Sequence, residues 1–340
     1  MVHHSPQEGV TRRVEGRPRV VVTRHLLPAT ETRMGELFDA RFNADDRPLT
    51  RDQLIAAMRD ADVLVPTVTD HIDAAMIAEA GDRIGLIASF GAGIEHIDLH
   101  AARERRIMVT NTPGVFTEDT ADMTMAMIVT ASRRFSEGVR LLREGNWTGW
   151  APAALLGHRI SGKRLAIIGL GRIGQAVAHR ARAFGLEVTY HNRHRLPQAL
   201  ENMLGVRYEA DLDRLVAEAD IVSLHCPASA ETHNILDARR IALMKRDAYV
   251  VNTARGELID EGALIDALEQ GHLGGAALDV FAHEPQIDSR LIALPNVVLL
   301  PHLGSATIEG REAAGERVIA NIRFWADGHR PLDQVLDGWK

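Results

Sequence analysis

Short apolar runs rich in β-branched residues recur along this chain, separated by stretches whose apolar positions fall at helical spacing. That alternation predicts parallel α/β domains. In the first third the runs are RVVVTRHL from Arg19, DVLVPTV from Asp62, IGLIASF from Ile84 and IMVTN from Ile107, with helical patterns such as LTRDQLIAAMRDA and HIDAAMIAEAG between them. A second series starts at Arg164: RLAIIGLG, EVTYHN, DIVSLHCP, AYVVNTA, GAALDV and NVVLLPH. One long helical pattern, roughly Thr117 to Glu144, separates the two series. It leads into GNWTGWAPAALLGHRISG, a loop-like stretch with two tryptophans. The final pattern, SATIEGREAAGERVIANIRFWADG, reads as a helix that returns to the first domain and makes it discontinuous.

Composition narrows the class without changing this picture. The 340 residues suit two domains better than one core. The 46% hydrophobic and 25% charged content is that of an ordinary globular protein. A net charge of -7 argues against nonspecific nucleic-acid binding, which needs a basic surface. No apolar run approaches a membrane span, and the polar N-terminus lacks the apolar stretch of a secretory signal, so a cytoplasmic location is expected. Cys226 is the only cysteine and excludes an intrachain disulfide, which fits a reducing compartment. Sixteen histidines raise the question of metal. Neither a cysteine pair nor an H-E-x-x-H motif accompanies them, and no metal is expected.

The most informative short motif is IIGLGRIGQ, in which Gly169, Gly171 and Gly174 form G-x-G-x-x-G between a strand and a helix. Glycines are needed there because the turn is tight and a pyrophosphate must approach bare backbone. The helix N-terminus then offers unsatisfied N–H groups and a partial positive charge. An acidic residue usually ends the second strand of such a unit and holds the ribose 2′-hydroxyl of NAD. Here the position is Asn192, followed by Arg193 and Arg195 in YHNRHR. A neutral residue beside two guanidinium groups predicts that NADP(H) is preferred, with NAD(H) still usable. The competing reading leaves both arginines as solvated surface charges.

Three later segments follow apolar strands and should project from the carboxyl edge of the sheet, where ligands bind in such folds: VNTARGELID, ALDVFAHEPQ and LPHLGSAT. Together with GLGRIG, in this order and spacing, they resemble the D-isomer-specific 2-hydroxyacid dehydrogenases, and more closely their glyoxylate/hydroxypyruvate reductase branch. The resemblance runs from about Arg19 onward. NWTGW and YHNR add to the likeness to that branch.

The resemblance implies two Rossmann-like or flavodoxin-like α/β domains with parallel sheets and an active site in the cleft between them. The expected division is a flexible tail over 1–18, a substrate-binding domain over 19–112 plus 304–340, and an NAD(P)-binding domain over 113–303 that includes a dimerisation arm near 117–157. It implies His302 as general acid, Glu284 as its carboxylate partner and Arg255 as the anchor of the substrate carboxylate and carbonyl. Backbone N–H groups of Ala92 and Gly93, in SFGAGIEHID, are the implied second carboxylate site. Trp150 is implied to reach the active site of a neighbouring subunit in a homodimer, although the tryptophan pair could equally cover the chain's own core. Around the dinucleotide the resemblance places Thr120, Arg172, Ile173, Cys226, Pro227, Thr253, Asp279, His302 and Gly304. A cysteine such as Cys226 is also often simply buried.

The implied reaction is NAD(P)H-dependent reduction of a small 2-keto acid, glyoxylate or hydroxypyruvate, to the D-2-hydroxy acid. D-lactate-type dehydrogenases compete closely, because little in the sequence reads the substrate's third carbon. Phosphoglycerate dehydrogenases often carry a further regulatory domain that is not expected here, and formate dehydrogenases lack an acid at the position of Glu284. Some relatives are co-repressors that use the fold as a nucleotide-sensing scaffold, a reading that leaves a complete set of reductase residues unexplained.

Overall fold

Each apolar run named above contains a strand in the computed structural model, which describes residues 15–336. The part of the expected N-terminal tail before residue 15 lies outside the described residues. The chain divides into two compact units, one of residues up to Val115 and from Thr307 on, the other Phe116–Ala306.

The first unit runs β1 (Arg19–Val22), α1 (Pro28–Leu37), β2 (Asp39–Arg41), α2 (Arg51–Asp60), β3 (Val63–Val65), α3 (Ala74–Glu79), β4 (Leu86–Ala88), α4 (Leu99–Glu104) and β5 (Met108–Thr110). Its strands form one parallel sheet in the order β2-β1-β3-β4-β5, the flavodoxin-like winding. The last helix of the chain, α13 (Ile308–Ala326), belongs to this unit. Trp325 in that helix lies so close to Gly85, just before β4, that a β-carbon on Gly85 would meet the indole at 2.5 Å.

The second unit opens with α5 (Thr117–Ser132) and α6 (Phe135–Arg143). It continues β6 (Arg164–Ile168), α7 (Arg172–Ala183), β7 (Glu187–His191), α8 (Gln198–Leu204), β8 (Arg207–Tyr208), α9 (Leu212–Glu218), β9 (Ile221–Leu224), α10 (Ala238–Leu243) and β10 (Tyr249–Asn252). After a 3₁₀ turn come α11 (Glu261–Glu269), β11 (Gly275–Leu278), α12 (Ser289–Ala293) and β12 (Val297–Leu299). The seven strands are parallel in the order β12-β11-β10-β9-β6-β7-β8, so the winding reverses at β6. Alternate strand residues face opposite layers. Ala166, Ile168, Val222, Leu224 and Val250 pack under α9, α10 and α11 residues, whereas Leu165, Ile167, Val188, Tyr190 and Val251 pack with α5 and α7 residues. Burial on both faces explains why these strands read as nearly continuous apolar runs.

Three features depart from the sequence pattern. The strands β2 and β8 were not anticipated, and both are edge strands with polar or half-exposed residues that need no apolar run. The long helix expected over Thr117–Glu144 is two helices. The break falls at Arg134, whose backbone is left-handed (φ 55°) and whose guanidinium holds Glu137 through two bonds of 2.6 Å. Among the described residues, no helix is long and apolar enough to cross a membrane, and no cluster of His, Cys, Asp and Glu could hold a metal ion.

Candidate active site

The glycine loop lies at the reversal point of the second sheet, between β6 and α7. Gly169 has φ +98°, and a β-carbon on it would run into the Cys226 backbone at 2.5 Å. Gly174 is packed against the Gly169 carbonyl with no room for a side chain. Gly171 is different: a β-carbon there would meet nothing within 4 Å. No side chain caps α7, so its first N–H groups, beginning with Arg172 and Ile173, have no partner from the capping position. Two glycines thus shape the turn, and the third leaves open space beside unsatisfied donors. A pyrophosphate fits this cradle. Cys226 and Pro227 follow β9 directly alongside, where the backbone of Cys226 touches the loop. Burial pushes the Cys226 thiol up to about 11, so it is a neutral thiol at physiological pH and not a nucleophile.

The end of β7 is tied to that cradle. Asn192 Oδ1 accepts the Leu170 N–H at 2.6 Å, which uses the side chain at the ribose-reading position to hold the glycine loop. Arg193 and Arg195 are both exposed. The two differ in surroundings: Arg195 holds Glu201 through bonds of 2.9 and 2.7 Å, whereas Arg193 adds its charge to the Ser229 hydrogen bond that chiefly holds the Glu231 carboxyl below its ordinary range.

Arg255, Glu284 and His302 follow β10, β11 and β12, three neighbouring strands of one parallel sheet, and therefore emerge at one edge. His302 Nδ1 and Glu284 Oε2 are 2.9 Å apart. Burial opposes ionisation of Glu284, but the His302 hydrogen bond and charge, the Phe281 N–H and the charge of Arg255 outweigh it, and the carboxyl ends below its ordinary range. The Nδ1 contact leaves Nε2 of His302 as the ring nitrogen able to face a substrate.

The backbone around each group is braced. His302 itself is left-handed (φ 56°), an uncommon conformation for a residue with a β-carbon. Asp279, fully buried, grips the turn: its carbonyl accepts the His302 N–H at 2.9 Å, and its carboxylate accepts those of Leu303 at 2.7 Å and Gly304 at 2.6 Å. Burial is the largest influence on Asp279, against those two N–H bonds, and its carboxyl stays above its ordinary range. Asn252 holds the arginine turn by donating to the Arg255 carbonyl and accepting from the Ala254 N–H. Gly256 packs directly on the Phe281–Ala282 backbone, so any β-carbon there would displace the segment that carries Glu284. Glu261 accepts the Ala282 N–H at 3.2 Å from the other side. Thr253 and Thr124 share a 2.8 Å hydroxyl contact, Thr124 also donates to the Thr120 carbonyl, and Thr120 lies beside Gly304. Sequence reasoning had not singled out Asn252, Gly256, Glu261 or Thr124. Only Gly256, as the neighbour of Arg255, carried a signal, because a glycine there marks a close backbone approach.

In the first unit, Ala92 and Gly93 lie in the loop after β4. Asn111 donates to the Ala92 carbonyl at 2.7 Å, and Thr112 N–H to that of Gly91 at 2.9 Å. Among the described residues, the N–H groups of Ala92 and Gly93 make no hydrogen bond, which leaves two adjacent donors for an anion. Trp150 is 84% exposed in the stretch after α6.

Comparison with known proteins adds an independent line. The model of the NAD binding domain of the D-isomer specific 2-hydroxyacid dehydrogenases matches residues 125–304. The chain is 40% identical to a glyoxylate reductase of Thermococcus litoralis over 94% of its length and 97% of that protein. It is 41% identical to one of Korarchaeum cryptofilum over 94% and 96%. A crystal structure of an NADPH-dependent glyoxylate/hydroxypyruvate reductase from Sinorhizobium meliloti, in complex with NADP and malonate, superposes with a TM-score of 0.84 at 31% identity, covering 95% of this chain and 98% of that one.

Proposed function

This chain belongs to the D-isomer specific 2-hydroxyacid dehydrogenase family, and from that membership we propose that it reduces glyoxylate and hydroxypyruvate to glycolate and D-glycerate, with NADPH the preferred coenzyme. As a family member it is an NAD(P)-dependent oxidoreductase. The observation that carries the reading is the His302–Glu284 pair at 2.9 Å, on the sheet edge it shares with Arg255 and the glycine loop. The names of the relatives support the substrate class.

The dinucleotide, when bound along Gly169, Gly171, Arg172 and Ile173, supplies the hydride. This chain's residues do the rest. Arg255 presents a planar fork that pairs with the substrate carboxylate and polarises the carbonyl. His302 donates the Nε2 proton to the carbonyl oxygen, and Glu284 holds Nδ1–H, orients the ring and stabilises the imidazolium before transfer. Ala92 and Gly93 add backbone N–H groups as further donors to the carboxylate.

A panel of small 2-keto acids with each coenzyme tests this, by following oxidation of the reduced nicotinamide. Glyoxylate and hydroxypyruvate should turn over, with kcat/KM about tenfold or more in favour of NADPH, the worth of one charge-assisted contact. A clear preference for NADH removes the coenzyme assignment. Tight coenzyme binding with no turnover of any 2-keto acid removes the reductase.

A homodimer is part of the same reading. It is supported by the apolar side chains that the arm leaves in solvent: Phe135, Val139 and Leu142 on α6, and Trp147, Trp150 and Leu156 after it. Sedimentation at micromolar concentration should give a dimer, and Trp150→Ala should lower kcat/KM for the keto acid with a smaller effect on the fold. A wild-type monomer would rule out the arm's contribution.

A further inference from the structure

The loop that follows β7 is clamped at both ends and bare in the middle. At its start, Asn192 Oδ1 holds the Leu170 N–H, and the Asn192 carbonyl accepts Tyr208 Oη at 3.2 Å. At its end stands a built ionic group. Glu201 is 2% exposed, and its Oε1 accepts from Tyr190 Oη at 2.7 Å and from Arg195 Nε at 2.9 Å. Its Oε2 accepts from the terminal nitrogen of Arg195 at 2.7 Å, and that nitrogen also reaches Gln198 Oε1 at 2.7 Å. Tyr190, wholly buried in β7, turns its hydroxyl back to accept the Leu196 N–H at 2.9 Å. The Arg195 guanidinium lies 5.6 Å from the centre of the Tyr208 ring. Between the clamps, Arg193 and His194 are exposed, and among the described residues neither has a hydrogen bond or ion pair.

We propose that of the two arginines only Arg193 reads the 2′-phosphate of the coenzyme, while Arg195, Glu201 and Tyr190 form a strut that sets the loop presenting it. The inference rests on the NADPH reading above. A phosphate approaching Arg195 would face the Glu201 carboxylate already bonded to two of its nitrogens, and the like charges repel. Arg193 has no such competitor in contact, and its charge is available. Arg195 and Glu201 are therefore positioning residues. Removing Arg195 leaves the buried Glu201 carboxylate without its charged partner, and Glu201→Gln removes the charge that holds the half-exposed guanidinium, so either substitution should loosen the loop.

The test uses probes that isolate the phosphate: adenosine 2′,5′-bisphosphate and 5′-AMP, titrated by calorimetry, together with thermal unfolding of the protein without coenzyme. Arg193→Ala should weaken the bisphosphate about 10- to 100-fold, the loss of one charge-assisted contact, with little change in 5′-AMP affinity or Tm. Arg195→Ala and the conservative Glu201→Gln should weaken both probes by a similar factor and lower Tm by several degrees. Arg195→Lys, which keeps the charge and loses the fork, should behave like Arg195→Ala. Tighter bisphosphate binding in Glu201→Gln would mean that Arg195 had been released to bind phosphate, and would overturn the proposal. So would an Arg195→Ala defect confined to the bisphosphate, or rescue by lysine. If the wild type binds both probes equally, the coenzyme reading fails. The strut is then decided by 5′-AMP and Tm alone: it stands if both respond to Arg195→Ala and Glu201→Gln and not to Arg193→Ala, and falls otherwise.

Discussion

Replacing His302 by alanine should lower kcat for glyoxylate by about 10²–10⁴-fold, the range that a positioned general acid contributes, with a much smaller effect on coenzyme affinity and Tm. The fold should survive because the turn does not depend on the imidazole. Its left-handed backbone is held by Asp279, which binds the N–H groups of His302, Leu303 and Gly304. The side chain itself is a third exposed, so truncation opens no core cavity. Glu284→Gln should be milder. A glutamine amide can still accept the Phe281 N–H at the Oε1 position, but it no longer offers a negative charge to His302. Steady-state kinetics beside coenzyme titration and thermal unfolding would separate these effects. A folded His302→Ala with near-normal turnover would refute the acid role.

What local sequence pattern encodes is visible in how the site came together. Gly169, Gly171 and Gly174 could be read directly, because a strand, a tight turn and a helix leave a local trace. The placement of Arg255, Glu284 and His302 at strand ends followed from the apolar runs before them, and these strands are neighbours in one sheet. The bracing could not be read this way. Asp279 binds Gly304 across 25 positions, and Asn192 binds Leu170 across 22. No periodicity marks such a pair, since its cause is the register of distant strands. The same holds for YHNRHR. Two arginines of one type, two positions apart, look equivalent in sequence. They diverge only when Tyr190, on the preceding strand, and Glu201, on the following helix, converge on Arg195 alone. The edge strands β2 and β8 escaped for a related reason: pairing with a neighbour defines them, not burial.

Arg255 should be the second most sensitive position. A guanidinium that pairs with a carboxylate and also polarises a carbonyl makes two charged hydrogen-bonded contacts, each worth about 1.5–3 kcal/mol. Removing both should cut kcat/KM for glyoxylate by about 10²–10⁴-fold. Arg255→Lys should recover little, since an ammonium cannot present two parallel N–H groups. The backbone should be indifferent to either change. Asn252 fastens the turn through the Arg255 carbonyl and the Ala254 N–H, and Gly256 rests on the Phe281–Ala282 backbone. Coenzyme titration should therefore stay near wild type while the keto-acid parameters collapse. Added guanidinium ion should restore part of the activity of Arg255→Ala and none of that of His302→Ala, because it can refill the vacated fork but cannot act as the missing acid. A loss in coenzyme affinity as large as the loss in kcat/KM would instead place Arg255 on the dinucleotide, and the carboxylate anchor would have to be sought among the first unit's free N–H groups.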